Sequence, residues 1–146
     1  MTGMMIGSVN AAPSFRLGYI DVQKVLLSYE KAKRYQEQLM QKEQSLRDEI
    51  TEKQKQAEKA KSRGASDEDV KNMLNKIEKD YEPKRLDIMQ FKQKTEHEIK
   101  SDISGAVAAI ATNMGIEMVA NKQALVYVTN GIDLTDKVIE LLNKKK

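Results

Sequence analysis

The chain has one histidine, His97, set between Glu96 and Glu98. An imidazole beside two carboxylates could hold a metal ion or relay a proton. Residues one apart do not share a helix face, however, and no second His and no Cys exists to complete a ligand set. His97 therefore reads as a solvated surface residue. The acidic groups Asp48-Glu49 and Asp67-Glu68-Asp69 lie in strongly polar stretches, with no apolar pocket to raise a carboxyl pKa for acid–base work. The glycines stand at turns or near the N-terminus, not in a phosphate-binding loop. Neither an enzymatic activity nor a cofactor nor a metal site is expected.

Two further groups suit recognition and not reaction. Lys53, Lys55, Lys59, Lys61 and Arg63 are opposed only by Glu58 in their own stretch. Such a patch is either a solvated helix face or a site that draws in an anionic partner, an acidic chain or a lipid headgroup, over a screening length of about 8–10 Å. Nucleic acid is not expected, because no aromatic platform is interleaved and acidic residues 67–69 follow at once. Met40, Met73 and Met89 lie in the polar middle of the chain. Their flexible thioethers fill a helix seam or adapt to varied apolar partners.

The elements that carry these residues follow from periodicity. Residues 17–21, Leu-Gly-Tyr-Ile-Asp, read as a short buried strand. Asp21 caps a short helix over 22–29, with Val22, Val25, Leu26 and Tyr29 on one face. The first arm spans 30–62. Ala32, Leu39, Leu46, Lys53 and Ala60 form one seven-residue column and Gln36, Glu43, Ile50 and Ala57 the next. This thin seam suffices for one partner helix but not for a bundle core. At 1.5 Å per residue the arm extends roughly 50 Å. Gly64 ends it, and Ser66 with Asp69 opens the next helix, which fixes the tip at 63–66.

The return arm carries Val70, Ile77, Lys84, Phe91 and Glu98 in one column and Leu74, Tyr81, Ile88 and Thr95 in the other. The two arms can therefore zip antiparallel. Pro83 removes a backbone hydrogen bond and should bend this helix locally. Beyond Lys100 the apolar face thickens until Gly115. Residues 116–120 and 124–128 then read as two strands of a hairpin turned by Asn121-Lys122-Gln123. A final amphipathic helix over 134–143 follows Asp133.

Composition limits the rest. The 146 residues hold 25 basic and 22 acidic side chains, net +3, and no Cys or Trp, so disulfides and thiolate sites are excluded. No stretch is long and apolar enough to span a bilayer. Apolar residues concentrate in 17–29 and 103–146, a body of about 60 residues, small enough that oligomerisation is the expected remedy. Residues 30–102 form the arm. Residues 1–16 form a leader in which Val9-Asn10-Ala11 places small residues where a signal peptidase accepts them, although a basic n-region is missing. The tail of an export signal and a disordered leader with a chance match both fit.

The blocks Leu17-Gly18-Tyr19-Ile20-Asp21-Val22, Ile116-Glu117-Met118-Val119-Ala120 and Asp133-Leu134-Thr135-Asp136-Lys137-Val138-Ile139 resemble the Skp (OmpH) family of periplasmic chaperones. The resemblance implies a mainly α fold with a small β part: a coiled-coil arm projecting from a small α/β body that trimerises through a β-barrel. It implies an ATP-independent holdase for unfolded outer-membrane proteins, exported to the periplasm. On that reading Tyr19, Ile20, Met118, Val119, Val126 and Val128 are candidates for the trimer interface. Leu39, Met40, Leu46, Met73, Tyr81 and Met89 are candidates for client contact, with Lys55, Lys59 and Arg63 steering, and the basic arm end also allows peripheral contact with anionic lipid. The rival reading is a coiled-coil spacer or adaptor with a single defined partner.

Overall fold

The computed structural model describes residues 15–144, so most of the leader lies outside the described residues. The element order is β1 (Leu17–Ile20), α1 (Val22–Ser28), α2 (Glu30–Ser62), α3 (Asp67–Met114), β2 (Met118–Asn121), β3 (Ile132–Asp133) and α4 (Thr135–Lys144). Asp21 accepts the Lys24 N–H at 3.0 Å and starts α1. Tyr29 then adopts an extended backbone, φ −79° and ψ 111°, which separates α1 from α2. The arm reverses at Gly64, where φ is +98°. Ser66 caps α3 by accepting the Asp69 N–H at 3.1 Å. Three acidic residues in the first turn of α3 complement the helix dipole.

Helix α3 runs unbroken through Pro83 and ends at Gly115, whose left-handed conformation releases the chain. At the level of Pro83 two clefts flank the arm. One, of about 550 Å³, is lined by Leu46, Ile50 and Ile88. The other, of about 470 Å³, is lined by Lys53, Met73, Ile77 and Tyr81.

The expected hairpin of 116–120 and 124–128 does not form. Strand β1 instead takes the centre of a three-stranded sheet, order β2-β1-β3, with both neighbours parallel to it. Leu17 aligns with Met118 and Ile20 with Asn121, while Gly18 aligns with Ile132. The reason lies in the return of α3. It delivers residue 116 beside the start of β1, where the Glu117 N–H donates to the Arg16 carbonyl at 3.1 Å. The Asn121 side chain then accepts the Gln123 N–H, and one 3-10 turn over Lys122–Ala124 carries the chain away from the sheet. Val126 and Val128, expected in a strand, therefore lie in irregular structure. Among the described residues the sheet is open, with β2 paired on one side only.

Helix α4 seals the body. Leu134, Val138 and Val25 are fully buried, and Ile20, Tyr29, Ile99, Ile103, Ala106, Ile116 and Leu142 complete the cluster. The Asp133-Leu134-Thr135 block has three separable jobs. The Asp133 carboxylate accepts the Thr135 N–H at 2.9 Å. Leu134 packs so closely on β1 that a Cβ at Gly18 would meet its Cδ1 at 2.9 Å. The Thr135 hydroxyl accepts the Asp21 N–H at 2.9 Å and ties the two chain ends together.

Leu134→Ala should therefore cost about 2–5 kcal/mol, as large-to-small changes at fully buried sites do. Leu74→Ala, on the exposed part of the arm, should cost less than about 1 kcal/mol. Urea unfolding followed by circular dichroism checks both, and equal losses would mean that the arm, not the body, sets stability.

Candidate binding surface along the arm

At the root of the arm, five side chains lock α2 to α3. The Tyr29 hydroxyl donates to Asp102 at 2.9 Å, and the Lys31 ammonium donates to the same carboxylate at 2.8 Å. Lys31 also lies 3.4 Å from Glu98, whose other partner is the Tyr35 hydroxyl at 2.7 Å. Burial pushes the Tyr29 phenol up to about 12, helped by the Asp102 carboxylate. Lys31 is raised by its hydrogen bond to Asp102. Glu98 is held below the usual carboxylate range, first by the Tyr35 hydrogen bond and then by Lys31. These groups are half-buried, so the Coulomb attraction is less screened than at the tip.

Farther out the seam thins. Leu39, Leu46 and Ile50 are half-buried and Ala57 is buried on α2; Tyr81 and Thr95 are buried and Ile77, Ile88 and Phe91 half-buried on α3. The Tyr35 and Phe91 rings meet edge to face at 6.1 Å. Near the tip only part of each expected column is used: Lys53 is exposed and Leu74 is 44% exposed. The helical repeat drifts against a seven-residue column, so a short seam keeps one column and loses the other.

The client-contact candidates thus divide. Leu39, Leu46 and Tyr81 fill the seam, so little of them is open to a second chain. Met40, Met73 and Met89 are 63%, 37% and 47% exposed. Lys55, Lys59 and Arg63 are exposed toward the tip, where Lys61 pairs with Asp67 at 3.2 Å. The interface candidates divide as well. Ile20 belongs to the chain's own core, with Val119 packed against it, and Tyr19 and Val128 are half-buried. Met118 and Val126 are open to solvent, as is Tyr127, which sequence reasoning passed over.

The sequence also gave no sign of a groove at the arm root. Val22, Leu26 and Leu27 of α1, Tyr35 and Leu39 of α2, and Ile99 and Ile103 of α3 line a cavity of about 620 Å³. Leu26 is 40% and Leu27 72% exposed. The missing signal was the orientation of α1, because its second apolar pair faces away from the core that holds Val25.

A small α/β head bearing one long antiparallel helical arm, with exposed apolar side chains on both, defines an arm-and-head binding protein. The chain belongs to the OmpH-like outer membrane protein family, whose model matches residues 16–142. Its fold is similar to the crystal structure of a candidate outer membrane chaperone (OmpH-like) from Caulobacter crescentus CB15. That likeness has a TM-score of 0.63 at 10% identity and covers 98% of this chain and 92% of the other. No curated protein matches in sequence.

The unfolded chain protonates Glu98 near the ordinary value of 4.5, and the folded chain only below it. The stability that Glu98 contributes is therefore present above that value and is lost as pH falls through the folded one. Urea midpoints measured from about pH 7 to about pH 3 should drop in this window, and Glu98→Gln should flatten the drop. An unchanged profile in Glu98→Gln would show that the root does not govern acid sensitivity.

Proposed function

We propose that this protein is an ATP-independent holdase that binds unfolded outer-membrane proteins in the periplasm and keeps them from aggregating. The observation that carries the reading is the placement of apolar surface. Leu27, Met40, Met89, Val126 and Tyr127 stand in solvent on a chain whose core needs none of them. Family membership and the likeness to an OmpH-like chaperone point the same way. The Phe, Leu and Met side chains of an unfolded barrel protein are the chemistry such a surface covers, through many weak contacts that tolerate different sequences.

The same reading includes assembly as a homotrimer. The edge of β2 left open among the described residues, with Met118 in that strand and Val126 and Tyr127 nearby in sequence, is an aggregation hazard unless another strand covers it. Three copies closing their sheets into a barrel would cover it and set three arms around one space. The basic arm end would then attract acidic client segments, and anionic lipid peripherally.

Native mass spectrometry should find a trimer at micromolar concentration, and Val126→Asp with Tyr127→Asp should shift it toward monomer. The intact protein should suppress aggregation of several unrelated barrel proteins diluted from urea, near one trimer per client. A monomer that leaves aggregation unchanged would remove the holdase. Capture of one defined partner only would establish the spacer reading instead.

A further inference from the structure

We propose that the arm is two-sided, and that a client chain lies as an extended strand along one side only, in the root groove and out to Met40 and Met89. This inference rests on the holdase reading and names the site that performs it.

The two sides follow from phase. Each residue turns a helix by about 100°, so the residues just before and just after a seam position lie on opposite flanks. Residues before the seam make the ties between the helices. Lys31 precedes Ala32, Glu98 precedes Ile99 and Asp102 precedes Ile103, and these three pair across the root. Glu49 precedes Ile50 and pairs with Lys84 farther out. Met73 lies on this tied side, in the cleft with Lys76 and Asp80. Residues after the seam leave the other side open. Gln36, Lys92, Glu96 and Lys100 follow Tyr35, Phe91, Thr95 and Ile99, and all four line the root groove. Met40 follows Leu39 and Met89 follows Ile88, so both continue the groove outward on the same flank.

The groove has unlike walls. Leu26 and Leu27 form an apolar wall; Lys92, Glu96 and Lys100 form a charged one with net positive charge. Successive members of that row are four residues apart on α3, a rise of about 6 Å. Alternate residues of an extended chain repeat at about 6.6 Å. A strand from a membrane barrel alternates apolar and polar side chains with the same period. Such a strand can set its apolar side chains on Leu26 and Leu27 and its polar ones on the row, with acidic residues favoured at Lys92 and Lys100. From Met89 to Ser104 the track runs about 22 Å, room for six or seven extended residues.

Aspartate substitutions on the two sides separate this from an arm that binds everywhere. Leu27→Asp and Met89→Asp should each raise, by about tenfold, the concentration needed to protect a urea-denatured barrel protein, as expected for a lost large apolar contact. Met73→Asp should stay within about twofold. Labelled peptides alternating Leu with Asp should bind more tightly than peptides alternating Leu with Lys. Lys92→Glu with Lys100→Glu should weaken the Asp peptide by about threefold and favour the Lys peptide. Equal losses in Met73→Asp and Leu27→Asp would overturn the two-sided arm, as would indifference to peptide charge. A changed assembly mass in Leu27→Asp would also overturn it, since the groove would then be an interface between copies. Peptide binding lost in Leu27→Asp, in a protein that never protects a barrel protein, would sink the holdase and keep the groove.

Discussion

The half-buried attachment of Lys31 to Asp102 and Glu98, with Tyr29 and Tyr35 donating to the same two carboxylates, holds the molecule in its shape. A helix of 33 residues and one of 48 can separate anywhere along a seam as thin as this one. Their joint is firm where charge and hydrogen bonds are shielded from water and where the body packs directly beneath. Ile99 and Ile103 on α3, each next in sequence to one of these carboxylates, are buried in the core. Position at the root thus fixes the direction in which everything beyond it projects.

Beyond the root the same chemistry weakens by exposure. The Lys84–Glu49 contact is open to solvent, and so is Lys61–Asp67 at the tip. Solvent screens pairs of this kind, so they hold the helices together only weakly. Apolar contact is no richer there, with Ala57 and Tyr81 the buried residues of the outer seam. A graded structure results, firm at the base and loosely held outward. The outer part of the arm therefore opens more readily than its root.

The parallel sheet has a consequence for assembly. A hairpin of 116–120 with 124–128 would have placed residues 126–127 in a strand. With β1 in the centre instead, β2 keeps an open edge and residues 126–127 stand clear of the body. Among the described residues that edge stays uncovered.

Sequence alone determined the helical elements, because their signals are local. Asp21, Gly64, Ser66 and Gly115 act on backbone groups within a few residues, so the helix ends near them were readable before any contact was known. The heptad stripes fixed which faces of α2 and α3 meet. Strand partners were not readable. Residues 118–121 and 132–133 reach β1 across about a hundred residues, and short apolar runs carry no mark of which edge they will join. The groove and the inequality of the two arm flanks were decided in the same way by tertiary structure. Leu26 reads as a core residue, yet Val25, Leu134 and Val138 fill the core and Leu26 lies with Leu27 on the open side.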